Sequence, residues 1–382
     1  MSRPKPGPST TAIHGGQGPL ADWAPVVQPI HQSTTFINPI GSEQEVLYTR
    51  YGNNPNQVSL ARKYALLEGA EEATFLASGM AATAQAHLAI LRPGDHLVAS
   101  RWIYGGTRQL FDAEFGRLGI AVSYADPSQP RQWRKLLRKT TRAIFLEVVT
   151  NPTMRVVDLD LVSQVARDTG VALVVDATFA SPINFRPIEH GADVVITSAT
   201  KYLNGHSDVI AGAVAGTAAV IEEVVRLSRI YGPAIDPHAA WLLDRGLKTL
   251  AVRMERHNAN GMAIATWAGS RKGIAAVHYP GLPDHPDHEV AARLLDGFGG
   301  MVGLQLAGVP QTERFLRRLK LVAHAPSLAG VESLICEPRL TSHKSFTSAE
   351  REALGIPDGF VRLSCGIEDA EDLIADIDQA LG

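Results

Sequence analysis

The chain has 382 residues, of which 45% are hydrophobic and 20% charged, and its formal net charge is −3. This composition predicts a soluble globular protein of about two domains, and it argues against disorder and against a basic surface for nucleic acid. Only Cys336 and Cys365 are present, which excludes a disulfide framework and a four-cysteine zinc site. Because no segment resembles a signal peptide or a membrane span, we expect a cytoplasmic protein.

The N-terminal segment is rich in proline and has little periodicity. We therefore predict an irregular arm over residues 1–55 that makes its contacts elsewhere, for example on a neighbouring subunit. From residue 56 onward helical and strand-like spacing alternate. Helices are predicted at 60–67, 80–91, 103–118, 133–137 and 159–168, and strands at 73–77, 96–100, 122–125, 143–149, 171–176 and 194–198. Strands separated by helices predict a mostly parallel sheet that is buried on both faces.

The second half of the chain has a different pattern. A long helix is predicted over 238–267, interrupted only by Gly246 and Gly261, and it would link two domains. Fewer strands follow, at 276–279, 301–306, 332–336 and 360–364, between helices such as 289–295 and 370–381. We predict a ligand-binding large domain over 56–245 and a smaller α/β domain, with the linking helix, over 246–382.

Two apolar strands end in residues suited to one cofactor. Lys201 follows a strand-like run and lies beside Ser198 and Thr200, where a desolvated lysine can act as a neutral amine towards an aldehyde cofactor. Asp176 ends another apolar strand, where a carboxylate could pair with the protonated pyridine nitrogen of pyridoxal phosphate. The alternative for Lys201 is a surface lysine at the start of a loop.

A strand-to-helix turn supplies a candidate phosphate site. Ser78, Gly79 and Met80 would leave free backbone N–H groups at the start of a helix. Ser198 and Thr200 stand at alternate positions of a strand end and could donate to the same phosphate. Small residues at an ordinary turn and strand-end capping are the respective alternatives.

Two further side chains are candidates for ligand contact. Tyr104 follows a predicted strand and could stack on a planar cofactor or donate a proton to a leaving group, although a packing role explains it equally well. Arg362 alternates with apolar residues, where its guanidinium needs an anion such as an amino acid's carboxylate or an internal salt-bridge partner. The cluster of histidines and aspartates at 284–288 reads as a solvated loop, and we assign no metal.

The motifs taken together closely resemble the Cys/Met-metabolism family of pyridoxal-phosphate enzymes, which includes cystathionine γ-synthase, cystathionine γ-lyase and methionine γ-lyase. The resemblance covers the chain from about residue 10 to the end and rests on the segments 48–55, 78–80, 104–107, 198–208, 245–250, 327–334 and 362–364 together with Asp176. It implies fold type I, an α/β architecture in which the large domain has a mostly parallel seven-stranded sheet and the C-terminal domain is smaller. It also implies a homotetramer built from dimers that share active sites.

The resemblance also implies a role for each matching residue. Tyr48 and Arg50 would reach the cofactor phosphate of the neighbouring subunit, and Tyr48 would also contact substrate. Phosphate binding is implied for Ser78, Gly79, Met80, Ser198 and Thr200. Around the cofactor ring, Tyr104 would stack, Asp176 would pair with the pyridine nitrogen and Asn151 would contact the ring oxygen. Lys201 would be the point of covalent attachment, and Ser327 and Arg362 would bind the substrate carboxylate.

Within the family, the residues at two positions favour one reaction. Cystathionine lyases resemble one another in having glutamates at the positions of Leu47 and Pro326, whereas apolar residues there suit an apolar tail such as a thioether methyl. We therefore expect γ-elimination on L-methionine, which gives methanethiol, 2-oxobutanoate and ammonia. Gly106, where methionine γ-lyases carry a cysteine, and Ala329, where glycine is usual, depart from the pattern. Cystathionine γ-lyase activity, γ-replacement on an O-acylhomoserine, and cofactor binding without turnover are the alternatives.

Overall fold

The computed structural model describes residues 6–16, 21–344 and 346–382. Parts of the predicted arm, residues 1–5 and 17–20, therefore lie outside the described residues. The described chain forms two β-sheets with helices packed against them, which confirms the predicted α/β fold class.

The larger sheet has seven strands in the described chain, in the order β1-β7-β6-β5-β4-β2-β3. The five central and edge strands β3, β2, β4, β5 and β6 are parallel, and β7 runs antiparallel to both β6 and β1. The strands are β1 (Glu72–Leu76), β2 (His96–Ser100), β3 (Ala121–Ala125), β4 (Thr141–Glu147), β5 (Ala172–Asp176), β6 (Val194–Thr197) and β7 (Gly212–Gly216).

Strand β7 is absent from the sequence prediction because its sequence, Gly-Ala-Val-Ala-Gly, has almost no β-branched or aromatic residues. Its glycines have a structural reason. A Cβ on Gly212 would lie 2.1 Å from the carbonyl oxygen of Ser78, so only glycine lets β7 approach the turn that follows β1.

Fourteen α-helices surround the sheets in the described residues, with short 3₁₀ turns at Thr49–Tyr51, Pro187–His190 and Pro338–Leu340. The helices are α1 (Pro8–His14), α2 (Pro55–Glu68), α3 (Gly79–Ile90), α4 (Gly105–Gln109, continued by a π-helical turn at Leu110–Phe115), α5 (Pro130–Lys135), α6 (Leu159–Thr169), α7 (Ser181–Asn184), α8 (Ala218–Tyr231), α9 (Pro237–Leu247), α10 (Leu250–Gly269), α11 (His288–Leu294), α12 (Val309–Arg318), α13 (Ser348–Ala353) and α14 (Ala370–Leu381).

Helices cover both faces of the large sheet, which is why its strands read as continuous apolar runs. One core contains Leu60 of α2, Val162 of α6 and Leu243 of α9 against one face of the sheet. A second contains Ala82 of α3 and Val224 of α8 against the other face. The sheet is thereby fixed between two layers of helices, and its strand ends are held in place.

The helical region predicted over 238–267 consists of two helices, because α9 ends at Leu247, next to the interruption expected at Gly246, and α10 begins at Leu250. The break coincides with a buried arginine: the guanidinium of Arg253 donates to the carbonyls of Gly246, Tyr202 and Leu203. Helix α10 then continues into the core of the small sheet through Ile264 and Ala268. The boundaries predicted for the domains stay a prediction.

The small sheet has five strands in the described chain, in the order β10-β11-β12-β9-β8. They are β8 (Ala276–His278), β9 (Met301–Gln305), β10 (Ala323–His324), β11 (Leu334–Cys336) and β12 (Phe360–Ser364). Cys336 ends β11 and Cys365 follows β12; both are free thiols and both are buried. No helix among the described residues is long and apolar enough to span a membrane.

The ion pair between Lys63 of α2 and Asp244 of α9 joins two helices in the first core, with 2.6 Å between Nζ and Oδ1 and a lysine side chain that is 1% exposed. We expect Asp244→Asn to lower the free energy of unfolding by about 3 kcal/mol, because it leaves a buried charge without a partner. Thermal or urea unfolding measures the change. The double variant Lys63→Met/Asp244→Leu, which removes both charges, should stay close to wild type, and equal stability of Asp244→Asn and wild type would contradict the prediction.

Candidate active site

A cavity of about 600 Å³ lies at the carboxyl ends of β4, β5 and β6, where parallel strands place ligand-binding residues. Its lining includes eleven of the thirteen residues predicted from the sequence: Ser78, Gly79, Met80, Tyr104, Asn151, Asp176, Ser198, Thr200, Lys201, Ser327 and Arg362. Residues from the small sheet and the loop at 326–328 close the side opposite the large sheet.

Lys201 lies in the turn after β6, and its Nζ donates to Ser327 Oγ over 2.8 Å. Burial lowers the pKa of Lys201 to about 8, and the positive charge of Arg362 contributes in the same direction. A substantial fraction of the amine is therefore neutral near physiological pH, which a nucleophile or a proton acceptor requires.

Asp176 is the last residue of β5 and reaches the cavity beside Glu147, the last residue of β4, which pairs with it in register. Burial raises the pKa of Asp176, and the hydrogen bonds from Thr178 oppose the shift. The backbone N–H of Thr178 donates to Asp176 Oδ1 over 2.8 Å, and Thr178 Oγ1 accepts from the N–H of Ser198 over 2.8 Å. The acid is thus held by the turn that leads to Lys201.

Helix α3 begins at the cavity, and its first N–H groups lack partners within the helix. Ser78 is the N-cap and accepts from the N–H of Ala81 over 3.1 Å. A Cβ on Gly79 would lie 2.8 Å from Ser198 Oγ, so glycine is required to bring the Ser198 hydroxyl against the start of the helix. This arrangement can bind an anion such as a phosphate.

Ser198 and Thr200 follow β6 rather than lying within it, because the strand ends at Thr197 and not at 198 as predicted. Thr200 Oγ1 accepts from the N–H of Ala211 over 3.0 Å and donates to its carbonyl over 3.2 Å. The two hydroxyls reach one cavity through a turn and not through strand alternation.

Tyr104 precedes α4, and its ring lies over Gly106: a Cβ at position 106 would be 2.5 Å from a ring carbon of Tyr104. The backbone N–H of Tyr104 donates to Glu147 Oε1. Glycine at 106 therefore allows the ring position, and any larger residue there would displace the ring.

Arg362 on β12 is 5% exposed and has no carboxylate partner within 4.0 Å in the described chain. Its Nη1 donates to Asn151 Oδ1 and its Nη2 to the carbonyl of Ser327, each over 2.8 Å. Its Nε is buried and has no hydrogen-bond partner among the residues that the structure describes. A buried guanidinium in this state favours an anionic ligand such as a carboxylate.

Glu147 and Thr178 line the same cavity but were not among the predicted site residues. Glu147 follows the pattern that identified Asp176, an apolar strand ending in an acid. The predicted strand over 143–149 continued two residues past Glu147, which concealed the acid inside a strand.

Tyr48 and Arg50 lie outside the cavity of the single chain. They line a surface depression beside Asp236 and Pro237, and Arg50 donates to the carbonyl of Arg229. Their assignment to a neighbouring subunit's site stays a prediction.

In the loop at 284–288, Asp287 is bound by residues elsewhere in the chain. Asp287 pairs with Arg155 over 2.6 Å and also accepts from the N–H of Val156 over 2.9 Å. No group of three or more histidine, cysteine, aspartate or glutamate side chains with metal-binding geometry occurs in the part of the chain that the structure describes.

The cavity fits pyridoxal phosphate on structural grounds. The start of α3 has no room for a side chain at Gly79 and can accept an anion, the buried carboxyl of Asp176 has no cationic partner among the described residues, and the buried amine of Lys201 has a lowered pKa. These three features match the phosphate, the ring N–H and the aldehyde of that cofactor.

Comparison with known proteins gives consistent results. The family described as "Cys/Met metabolism PLP-dependent enzyme" matches residues 9–382. A cystathionine beta-lyase of Coxiella burnetii is 41% identical, with 97% of each chain covered. An L-methionine gamma-lyase of Fusobacterium nucleatum is 38% identical over 100% of this chain and 99% of its own. The solved structure of metB from Corynebacterium glutamicum superimposes with a TM-score of 0.93 at 41% identity, covering 98% of each chain.

The depressed pKa of Lys201 predicts a pH dependence for the cofactor-free protein. The rate of its recombination with pyridoxal phosphate, followed by visible absorption, should rise with pH through about 8 as the amine becomes neutral. In Arg362→Met the midpoint should move upward, because a neighbouring positive charge is lost. Pyridoxal phosphate with a free lysine derivative in the same buffers is the control, and a protein profile identical to that control would contradict the prediction.

Proposed function

Because the chain belongs to the Cys/Met-metabolism family of pyridoxal-phosphate-dependent enzymes, we propose that it catalyses γ-elimination on L-methionine, with methanethiol, 2-oxobutanoate and ammonia as products. Family membership confirms the predicted cofactor, pyridoxal phosphate, and places the enzyme in carbon–sulfur chemistry on sulfur amino acids. The assignment of L-methionine as the substrate goes beyond what family membership gives.

The wall around the substrate loop carries the proposal. Pro326 and Leu328 flank Ser327 there, and Met80 and Ile210 add further apolar surface to the cavity. Glu147 and Asp176 are the two carboxyls among the described lining residues, and both lie at the end of the large sheet. A substrate with a distal ammonium would lose its hydration without a partner along the apolar wall, whereas a thioether methyl loses nothing there.

In this proposal Ser78, Gly79 and Met80 at the start of α3, with Ser198 and Thr200, would hold the cofactor's phosphate. Asp176 would pair with the ring N–H, Asn151 would contact the ring oxygen, Tyr104 would stack on the ring and Lys201 would carry the aldehyde. When bound, the cofactor stabilises the negative charge left by removal of the substrate's α-proton.

The reaction itself depends on residues of this chain. Arg362, held by Asn151, binds the substrate carboxylate, and Ser327 helps to orient it. Lys201, once released from its contacts, accepts the α-proton as a neutral amine and moves protons between neighbouring carbons. Tyr104, which lines the cavity and is 39% exposed, would donate a proton to the departing sulfur.

We further propose that the site is completed in a homotetramer built from dimers. Tyr48 and Arg50 lie away from the cavity of their own chain and would contact the phosphate and substrate of the neighbouring subunit. The arm that carries them exposes large apolar side chains, including Trp23, Val26, Ile37 and Ile40. Such a surface favours burial against another chain.

Cleavage of cystathionine is the second candidate, because a relative named for that activity is as similar as the one named for methionine. γ-Replacement on an O-acylhomoserine is a third. The three reactions differ in their products, which makes them separable.

Product analysis tests the proposal directly. The purified enzyme should form 2-oxobutanoate and methanethiol from methionine faster than it forms a 2-oxo acid from cystathionine. With added thiol, it should not convert O-acylhomoserine into a thioether faster than it cleaves methionine. Pyruvate from cystathionine would indicate β-elimination, and a thioether product would indicate a synthase. If no 2-oxobutanoate forms from methionine, the proposal is contradicted.

Introducing a carboxylate into the apolar wall should alter the preference. Pro326→Glu is expected to raise the ratio of kcat/KM for cystathionine over methionine by about tenfold, because a distal ammonium gains a partially buried partner. Pro326→Gln is the matched control, since it has the same shape without the charge. Equal ratios in the two variants would show that position 326 does not contact the substrate's tail.

A further inference from the structure

Glu147 is a buried acid that the proposed chemistry does not use. It ends β4 and is 5% exposed, and it has no cationic partner within 4.0 Å in the described chain. Burial raises its pKa well above the usual range, and the neighbouring negative charge of Asp176 adds to the effect. A carboxyl kept in such surroundings requires compensating hydrogen bonds.

Those hydrogen bonds come from two segments on different sides of the cavity. Oε1 accepts from the backbone N–H of Tyr104, in the segment that follows β2, and Oε2 accepts from the backbone N–H of Asn151 over 3.2 Å, in the loop that follows β4. Each carboxylate oxygen therefore fixes one segment that carries a candidate ligand-binding side chain.

The first segment has little else to hold its aromatic ring. The side chain of Tyr104 belongs to a residue that is 39% exposed, and the ring lies over Gly106, which offers no side chain as support. Because the backbone sets the direction of the ring, the hydrogen bond that the Tyr104 N–H donates to Glu147, together with the one that the Tyr104 carbonyl accepts from Arg108, restrains where the ring lies.

The second segment connects to the opposite wall. Asn151 Oδ1 accepts from Arg362 Nη1, and Arg362 Nη2 donates to the carbonyl of Ser327. The hydroxyl of Ser327 in turn accepts from Lys201 Nζ. Glu147 thus stands at one end of a hydrogen-bonded path that crosses the cavity from the large sheet to the small one.

We propose that Glu147 is a positioning residue for the cofactor: its two oxygens hold the backbone of Tyr104 and of Asn151 so that their side chains meet the ring bound beside Asp176. The proposal concerns cofactor geometry and is independent of which sulfur amino acid the enzyme cleaves.

The test uses Glu147→Gln and Glu147→Asp in full-length protein. Glutamine retains one acceptor but places an NH₂ group against the second backbone N–H, and aspartate retains the carboxyl group but is one methylene too short. We expect both variants to bind pyridoxal phosphate about tenfold or more weakly, and to lose much of the induced circular dichroism of the visible cofactor band. Wild-type affinity and dichroism in both would overturn the proposal, and if one variant fails to fold, the other decides.

Glu68→Gln is the matched control. Glu68 is also fully buried and accepts from the Tyr64 hydroxyl over 2.8 Å, but it does not line the cavity. It should keep wild-type cofactor affinity and dichroism even where its thermal midpoint falls. A loss of cofactor affinity in Glu68→Gln equal to that in Glu147→Gln would show a general stability effect and overturn the proposal.

A double-mutant cycle with Tyr104→Ala isolates the route of the effect. If Glu147 acts through Tyr104, the combined variant Glu147→Gln/Tyr104→Ala should weaken cofactor binding by less than the product of the two single effects. A fully multiplicative result would show that the two residues act independently, and it would refute the positioning role.

Discussion

The constraint on which the site depends is the burial of charged groups at one edge of the large sheet. Parallel strands end together, and β4, β5 and the turn after β6 deliver Glu147, Asp176 and Lys201 into one cavity. Burial shifts the pKa of each group towards its neutral form. A ligand that carries a cationic ring nitrogen and anionic phosphate and carboxylate groups would supply the missing partners, so the cost of burying these groups is recovered on binding.

The loop that closes the cavity shows how the two sheets are coupled. Ser327 and Ala329 both have positive backbone φ angles, of 90° and 65°, which non-glycine residues adopt at a cost. Hydrogen bonds oppose that cost: the Ser327 carbonyl accepts from Arg362, and the N–H of Ala329 donates to Ser364 Oγ over 2.7 Å. These hydrogen bonds hold the loop that contains Ser327 and Ala329 against β12, so the small sheet sets the position of Ser327 relative to Lys201.

The sequence was sufficient where a local pattern and a chemical need coincided. The apolar strand before Asp176 and the run before Lys201 predicted the parallel sheet and its functional edge. Strand β7 was not predicted because Gly212 and Gly216 are required by close approach to other backbone and do not reflect strand propensity. Beside the break between α9 and α10, Arg253 donates to the carbonyls of Tyr202 and Leu203, fifty or more residues earlier in sequence, and no local pattern encodes such contacts. The assignment of Tyr48 and Arg50 to a neighbouring subunit's site stays a prediction, because in their own chain they line a separate surface depression.

The two cysteines have a practical consequence for work on this protein. Both Cys336 and Cys365 are buried, and burial raises the pKa of the Cys365 thiol, so native thiols resist alkylation while the fold is intact. A single cysteine introduced at the surface would be the one readily reactive thiol in the folded chain. Fluorescent or spin labels could then report on loop movements around the cavity without first removing native residues.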